Sequence, residues 1–232
     1  MGDGMEYRVE QKYMVSDAQM VFLQRQLESY MHYDKHHPNG ESYVIRSVYF
    51  DDIQDSYMRE NEDGTDYREK FRIRTYNNGK DEIHLECKSK VHGFVKKKKE
   101  NLSYEECMCY INKGQVEPGK DDGFLKKKVY ALHQMTRLQP VQIVEYERIA
   151  MIEEVGNVRV TFDRNISGTN QIDTFFDEHL PGVAALPAGI HILEVKYDEL
   201  LPDYLKRILN TVPLNIQSFS KYYYTRNNQM IN

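Results

Sequence analysis

Three things are scarce in this 232-residue chain: cysteine, long apolar runs and any excess of positive charge. Its three cysteines, Cys87, Cys107 and Cys109, are odd in number, and their spacing matches neither a disulfide framework nor a zinc site. A reducing compartment is therefore expected, without a metal–thiolate cluster. No stretch approaches the roughly 20 apolar residues of a membrane-crossing helix, and the opening MGDGMEYRVEQKY has no apolar signal core. A cytoplasmic protein with no membrane segment of its own is the expectation. The net charge of −5 and pI near 5.9 exclude the global basic field of a nucleic-acid binder, so attraction for anions must come from locally segregated charge. With 40% hydrophobic residues the chain can bury a core, and we read residues 1–232 as one domain.

What is present is alternation. EYRVEQKYMV reads as a strand and meets Ser16-Asp17, a cap signal for the helical stretch AQMVFLQRQLESYM. SYVIRSVYF is a β-branched and aromatic run. REKFRIRTY and IHLECKSK flank Asn77-Asn78-Gly79, which predicts a hairpin. GFVKKKKENL predicts a further strand, and SYEECMCYINK opens with a Ser103–Glu106 capping-box pattern. GFLKKKVYALHQM reads as helix, VQIVEYERIAMI and VRVTFDRNI as a hairpin about Gly156-Asn157, HILEVKYD as a strand and PDYLKRILNTV as helix. The helical stretch between about 103 and 139 is the most plausible weak boundary. Mostly antiparallel strands with helices set outside predict an α+β fold.

Side chains two apart in a strand share a face. Sorted that way, Glu10 and Lys12 fall together, as do Arg72 and Arg74, Glu86 and Lys88, Tyr146 and Arg148, Arg159 and Asp163, and Glu194 and Lys196. The opposite parity is apolar, for example Val158, Val160 and Phe162. A solvated outer face is the ordinary fate of such charge. Its recurrence in strand after strand points instead to a sheet curled into a charged, water-filled barrel or tunnel. Like charges gathered in this way call for an anionic ligand. Phosphate chains suit them, with Glu10, Glu86 and Glu194 as candidate carboxylates for Mg2+ or Mn2+. Catalysis would then be electrostatic, without a protein nucleophile.

The ordered set EQKY, REKFRIRTY, LECKSK, VEYERIA, VRVTFDR, ILEVKY and FSKYYY resembles the polyphosphate-polymerase (VTC) domain of the triphosphate tunnel metalloenzyme superfamily over nearly the whole chain. The resemblance implies an antiparallel eight-stranded β-tunnel that binds nucleoside triphosphate, polyphosphate or another phosphate-rich anion with Mn2+ or Mg2+. It implies transfer of the γ-phosphoryl to a polyphosphate chain, with metal-dependent triphosphate hydrolysis and non-catalytic polyphosphate binding as alternatives. Carried over by position, it makes Arg72, Arg74, Lys88, Arg148 and Lys221 catalytic groups, and Lys12, Lys97, Tyr146 and Lys196 phosphate-binding ones. Glu194 becomes the leading metal ligand. Parity alone does not separate Lys97/Lys99 from Lys96/Lys98. The chain departs from the related triphosphatase and cyclase pattern Glu-x-Glu-x-Lys, reading Arg8-Val9-Glu10-Gln11-Lys12, which shifts weight towards polymerase or binding. Neither a preceding three-helix regulatory domain nor a following membrane segment is found, so this chain is not expected to translocate a product itself.

Other signals are weaker. GQVEPGKD, residues 114–121, lacks the hydroxyl that ends a phosphate loop and follows a helix. His32, His36 and His37 fall in a polar region with no matching ligands, which favours a surface role. Cys87 must point away from Glu86 and Lys88, as a packed thiol. Tyr222 to Tyr224 fit core and rim better than a nucleobase platform.

Overall fold

The computed structural model describes residues 8–36, 40–63, 67–91 and 94–231; His37 and Gly93 lie outside them. The fold is α+β. Eight long strands and two short ones are present among the described residues, and the strand pairs with an assigned register run antiparallel. The chain forms two compact units. The first comprises Met1–Val44, Tyr146–Ile166 and Leu186–Phe219, and the second Ile45–Glu145, Ser167–Ala185 and Ser220–Asn232. The helical stretch expected as a boundary, between 103 and 139, lies wholly inside the second unit. The units trade segments at strands instead, which hydrophobic pattern alone does not show.

In the first unit, β1 (Val9–Ser16) lies beside β10 (Ile190–Tyr197), then β8 (Val158–Thr169), then the second half of β7 (Gln139–Glu153). The two-residue β2 (His32–Tyr33) pairs with the end of β7. Apolar side chains of one parity, Tyr13 and Val15, Ile149 and Met151, Val158, Val160 and Phe162, and Leu193 and Val195, form a buried core. Over them pack Met20, Leu23 and Leu27 of α1 (Asp17–Leu27) and Leu205, Ile208 and Leu209 of α5 (Asp203–Leu209). Each such burial contributes about 1.5–3 kcal/mol. The Ser16 cap closes a reciprocal box, its N–H donating to Gln19 Oε1 at 2.9 Å and its Oγ accepting from the Gln19 N–H at 3.4 Å.

In the second unit the order is the first half of β7, then β3 (Tyr43–Asp51), β4 (Tyr67–Tyr76), β5 (Ile83–Val91) and β6 (Phe94–Leu102). The short β9 (Val183–Ala184) adds to the end of β8. Val48 and Phe50, Phe71 and Ile73, and Ile83, Leu85 and Cys87 are buried against Cys107 and Tyr110 of α3 (Tyr104–Lys113) and Leu125 and Val129 of α4 (Phe124–Thr136). Cys87 is thus a packed thiol, and burial pushes its pKa up. Asn77 and Asn78 take φ of 50° and 54° at the β4–β5 turn, the left-handed region that asparagine tolerates. Two helices complete the unit: α2 (Ser56–Asp63) and α6 (Lys221–Ile231). Besides β10, β1 meets an isolated bridge from Tyr13 to Ile216, and the Gln217 N–H donates to the Lys12 carbonyl at 2.8 Å.

Candidate functional site

Because one parity of the long strands is largely spent on the two cores, the expected site residues lie on the other. In the second unit this brings positions of β3, β4, β5 and β6 and the start of α6 into one arrangement. Register sets Tyr49 opposite Arg72 and Ser47 opposite Arg74, and on the other side Arg72 opposite Glu86 and Lys70 opposite Lys88. Lys88 in turn lies opposite Lys97, and Glu86 opposite Lys99.

At the centre stands Glu86, 2% exposed. Arg72 donates to its Oε2 through Nε and Nη2, both at 2.7 Å, and Lys97 reaches its Oε1 at 2.6 Å. Arg74 Nη1 lies 3.8 Å from the same Oε2 and its Nε donates to Ser47 Oγ at 3.3 Å. Burial would raise the Glu86 carboxyl, but Arg72, Arg74 and Lys97 outweigh it and hold the group well below the carboxylate range. Burial and the two guanidiniums push Lys97 down to about 8 against the pull of Glu86. The sequence reading makes Glu86 a metal carboxylate; here Arg72, Arg74 and Lys97 surround it. Both oxygens are engaged by cations, so the residue organises cations. Of the lysine run it is Lys97 and Lys99 that share the parity of Glu86 and His84, Lys99 Nζ lying 3.3 Å from His84 Nε2.

A second tier supports Arg72. Its Nη1 donates to the Tyr49 hydroxyl at 3.0 Å, and the Tyr49 ring stacks on Tyr222 with centroids 5.1 Å apart and planes at 19°. The Tyr222 hydroxyl donates to buried Asp51 at 2.5 Å, and Asp51 also accepts the N–H groups of Tyr57 and Met58 at 3.0 Å. Tyr222 therefore anchors the first turn of α6, which begins at Lys221, and is no free nucleobase platform. Lys70 donates to Ser220 Oγ at 3.1 Å, one residue before that helix.

The first unit is built differently. Two cross-strand rows run over β1, β10 and β8: Lys12, Glu194 and Thr161 in one, Glu10, Lys196 and Arg159 in the next. The carboxylates and lysines alternate like a checkerboard. Lys12 Nζ lies 3.1 Å from Glu10 Oε1 and 3.7 Å from Glu194 Oε2, and donates to the Phe219 carbonyl at 2.9 Å. Lys196 Nζ lies 2.5 Å from Glu194 Oε1 and 3.6 Å from Glu10 Oε2. Arg148 grips buried Asp163 in a fork, at 2.6 and 2.7 Å, with its guanidinium carbon 5.2 Å from the Tyr146 ring centroid. Burial lowers the Arg148 pKa, but Asp163 and Tyr146 more than reverse this and raise it well above normal. Arg159 donates to Asp34 at 2.8 Å, and so does the Tyr43 hydroxyl at 3.0 Å. Arg8, at the departing position, donates to the Asn157 carbonyl at 2.7 Å and lies 3.6 Å from Asp198.

The expected residues thus divide evenly: Glu10, Lys12, Tyr146, Arg148, Glu194 and Lys196 in the first unit, Arg72, Arg74, Glu86, Lys88, Lys97 and Lys221 in the second. Among the described residues no three His, Cys, Asp or Glu side chains cluster as a metal site. Lys12 and Lys196 meet the oxygens of Glu10 and Glu194 as well, at 2.5–3.7 Å, so a hard divalent ion held by this carboxylate pair would have to turn those lysines towards the phosphate it brings. Sequence reasoning missed Asp34, Tyr43, Tyr49, Asp51 and Thr161. Strand parity could have marked Tyr49 and Thr161, which share faces with expected ligands; nothing local marks Asp34. A cavity of about 380 Å3 beside Gln11, Tyr13 and Tyr197 opens on the opposite parity of β1 and β10, away from this chemistry.

A family model described as the VTC domain matches residues 7–227. The chain belongs to the VTC domain family. No curated protein matches it. Among solved structures, the Vibrio parahaemolyticus protein described as a "putative adenylate cyclase" superposes with a TM-score of 0.52 at 12% identity, covering 96% of this chain and 99% of that one. The PH1819 protein from Pyrococcus horikoshii OT3 is similar over 96% of this chain and 99% of its own, at 13% identity and a TM-score of 0.49. The likeness to the Vibrio protein is one of fold alone. No helix among the described residues is long and apolar enough to cross a membrane.

Proposed function

We propose that this VTC domain is a polyphosphate polymerase-type phosphotransferase, working as one domain on nucleoside triphosphate and polyphosphate. The observation that carries the reading is the ring of Arg72, Arg74 and Lys97 about one buried carboxylate, in a chain whose net charge is negative. Three cations fixed by one anion leave a local surplus, which a phosphate chain complements with paired oxygens that match guanidinium forks. In the reaction a terminal oxygen of the growing chain attacks the γ-phosphorus while its bond to the bridging oxygen breaks, and ADP leaves. Arg72, Arg74, Lys88 and Lys221 stabilise charge on the transferring group; Lys97 holds the chain. In the first unit Lys12, Lys196 and Arg148 take phosphate oxygens, with Tyr146 beside Arg148. Glu10 and Glu194 would hold Mn2+ or Mg2+, which supplies charge neutralisation on phosphoryl oxygens. Three free thiols, two of them buried, support a reducing compartment such as the cytoplasm.

One observation favours a second reading. Arg8 replaces a carboxylate and is tied to Asn157 and Asp198, so the donor set is poorer than a hydrolase pattern provides. That keeps a non-catalytic polyphosphate-binding module as the rival, with metal-dependent triphosphate hydrolysis behind it. Incubation with γ-labelled ATP and Mn2+ or Mg2+ separates all three. Label in an acid-labile ladder is the predicted result. Label in orthophosphate alone would make the protein a triphosphatase, and tight binding without turnover a module.

A further inference from the structure

We infer that the hydroxyl of Thr161 is a further oxygen ligand for the divalent cation held by Glu194. The inference rests on the reading of Glu10 and Glu194 as metal carboxylates and deepens it. Thr161 is 2% exposed, and its Oγ1 has no hydrogen-bond partner. A buried hydroxyl without a partner is unusual, because its lost hydration is not replaced. The apolar core takes Val158, Val160 and Phe162 of β8, so Thr161 faces the charged side with Arg159 and Asp163.

Register places Thr161 directly across from Glu194, and Lys12 across from Glu194 on its other side. Thr161 is thus the uncharged square of the checkerboard. Its charged neighbours on β8 are committed elsewhere, Arg159 to Asp34 and Asp163 to Arg148. Directly opposed cross-strand side chains lie about 4.5–5.5 Å apart at Cβ, a span that lets a carboxylate oxygen and a hydroxyl oxygen converge on one ion. Hard divalent ions need more oxygen donors than two carboxylates supply, and a hydroxyl is an ordinary member of such shells. Thr161 thereby extends the donor set across three adjacent strands, from Glu10 on β1 through Glu194 on β10 to β8.

The test measures binding of an imido-bridged tripolyphosphate by calorimetry, with and without Mn2+, for wild type, Thr161→Val and Thr161→Ser. Valine keeps the shape and removes the oxygen; serine keeps the oxygen. The expected result is that Thr161→Val lowers the Mn2+-dependent gain in affinity about tenfold and leaves metal-free affinity unchanged. Thr161→Ser should retain the gain within about twofold. An unchanged gain in Thr161→Val overturns the inference, as does a fall in metal-free affinity alone, which would make the hydroxyl a phosphate donor. Equal losses in both variants would assign the effect to packing and also overturn it. A wild type with no Mn2+-dependent gain removes the metal reading itself, and the inference with it.

Discussion

The two units solve one electrostatic problem in opposite ways. In the second, a single buried carboxylate, Glu86, draws three cations to itself, and the cluster keeps a surplus of positive charge. In the first, Glu10 and Glu194 alternate with Lys12 and Lys196, Arg148 is matched by Asp163, and Arg159 by Asp34, so charges cancel pair by pair. The surplus attracts an anion without help. On the proposed reading the balanced checkerboard would gain from a ligand that brings both signs, since a metal–phosphate complex would offer a cation to the carboxylates and oxygens to the lysines. Anion affinity should accordingly be a property of the second unit, and metal dependence a property of the first.

The largest effect that would break this contrast is expected at Glu86. Replacing it with alanine leaves Arg72, Arg74 and Lys97 facing one another and should destabilise the protein by about 3–5 kcal/mol in denaturant titration. Tripolyphosphate should restore much of that loss, because it replaces the missing anion. Because the folded-state pKa of Glu86 is depressed, its stabilisation is present above the unfolded carboxylate value and lost as pH falls through the acid range, so acid melting should be steeper in wild type than in Glu86→Gln.

Glu194→Ala should separate the units next. Metal-dependent turnover is expected to fall by about a hundredfold or more, while metal-free tripolyphosphate affinity changes by no more than a few-fold. A smaller, sharper test uses Lys97, whose pKa is pushed down to about 8. It is charged below that pH, so anion affinity should decline by a few-fold as pH rises through 8, and Lys97→Arg should flatten the decline. The smallest effect belongs to the support tier. Tyr222→Phe removes the bond to Asp51 but keeps the stack on Tyr49, and should cost about 1 kcal/mol in thermal stability with a modest loss of affinity.

The long strands, helices α1, α3, α4 and α5 and the division of strands into apolar and charged faces were legible in the sequence, because apolar periodicity is a local property; helix α6 was not. The β4–β5 hairpin is the clearest case: two asparagines able to take positive φ sit between alternating runs. Glu86 was legible as a member of the charged face, and its partners were not. Its spacing from Lys88 marks a face, but which cations a carboxylate meets depends on β4 and β6 packing on either side of β5. Asp34 and Asp51 were not legible, since their partners Arg159 and Tyr222 lie 125 and 171 residues away. Thr161 was hidden for another reason: a hydroxyl attracts no notice until its register with Glu194 is known.

The most direct measurement is calorimetric titration of tripolyphosphate without metal into wild type, Arg72→Ala and Lys12→Ala. Binding by wild type is expected, with a loss of about a hundredfold in Arg72→Ala and no more than a few-fold change in Lys12→Ala. Equal losses in the two variants, or a wild type that binds only when metal is present, would contradict the contrast between the units.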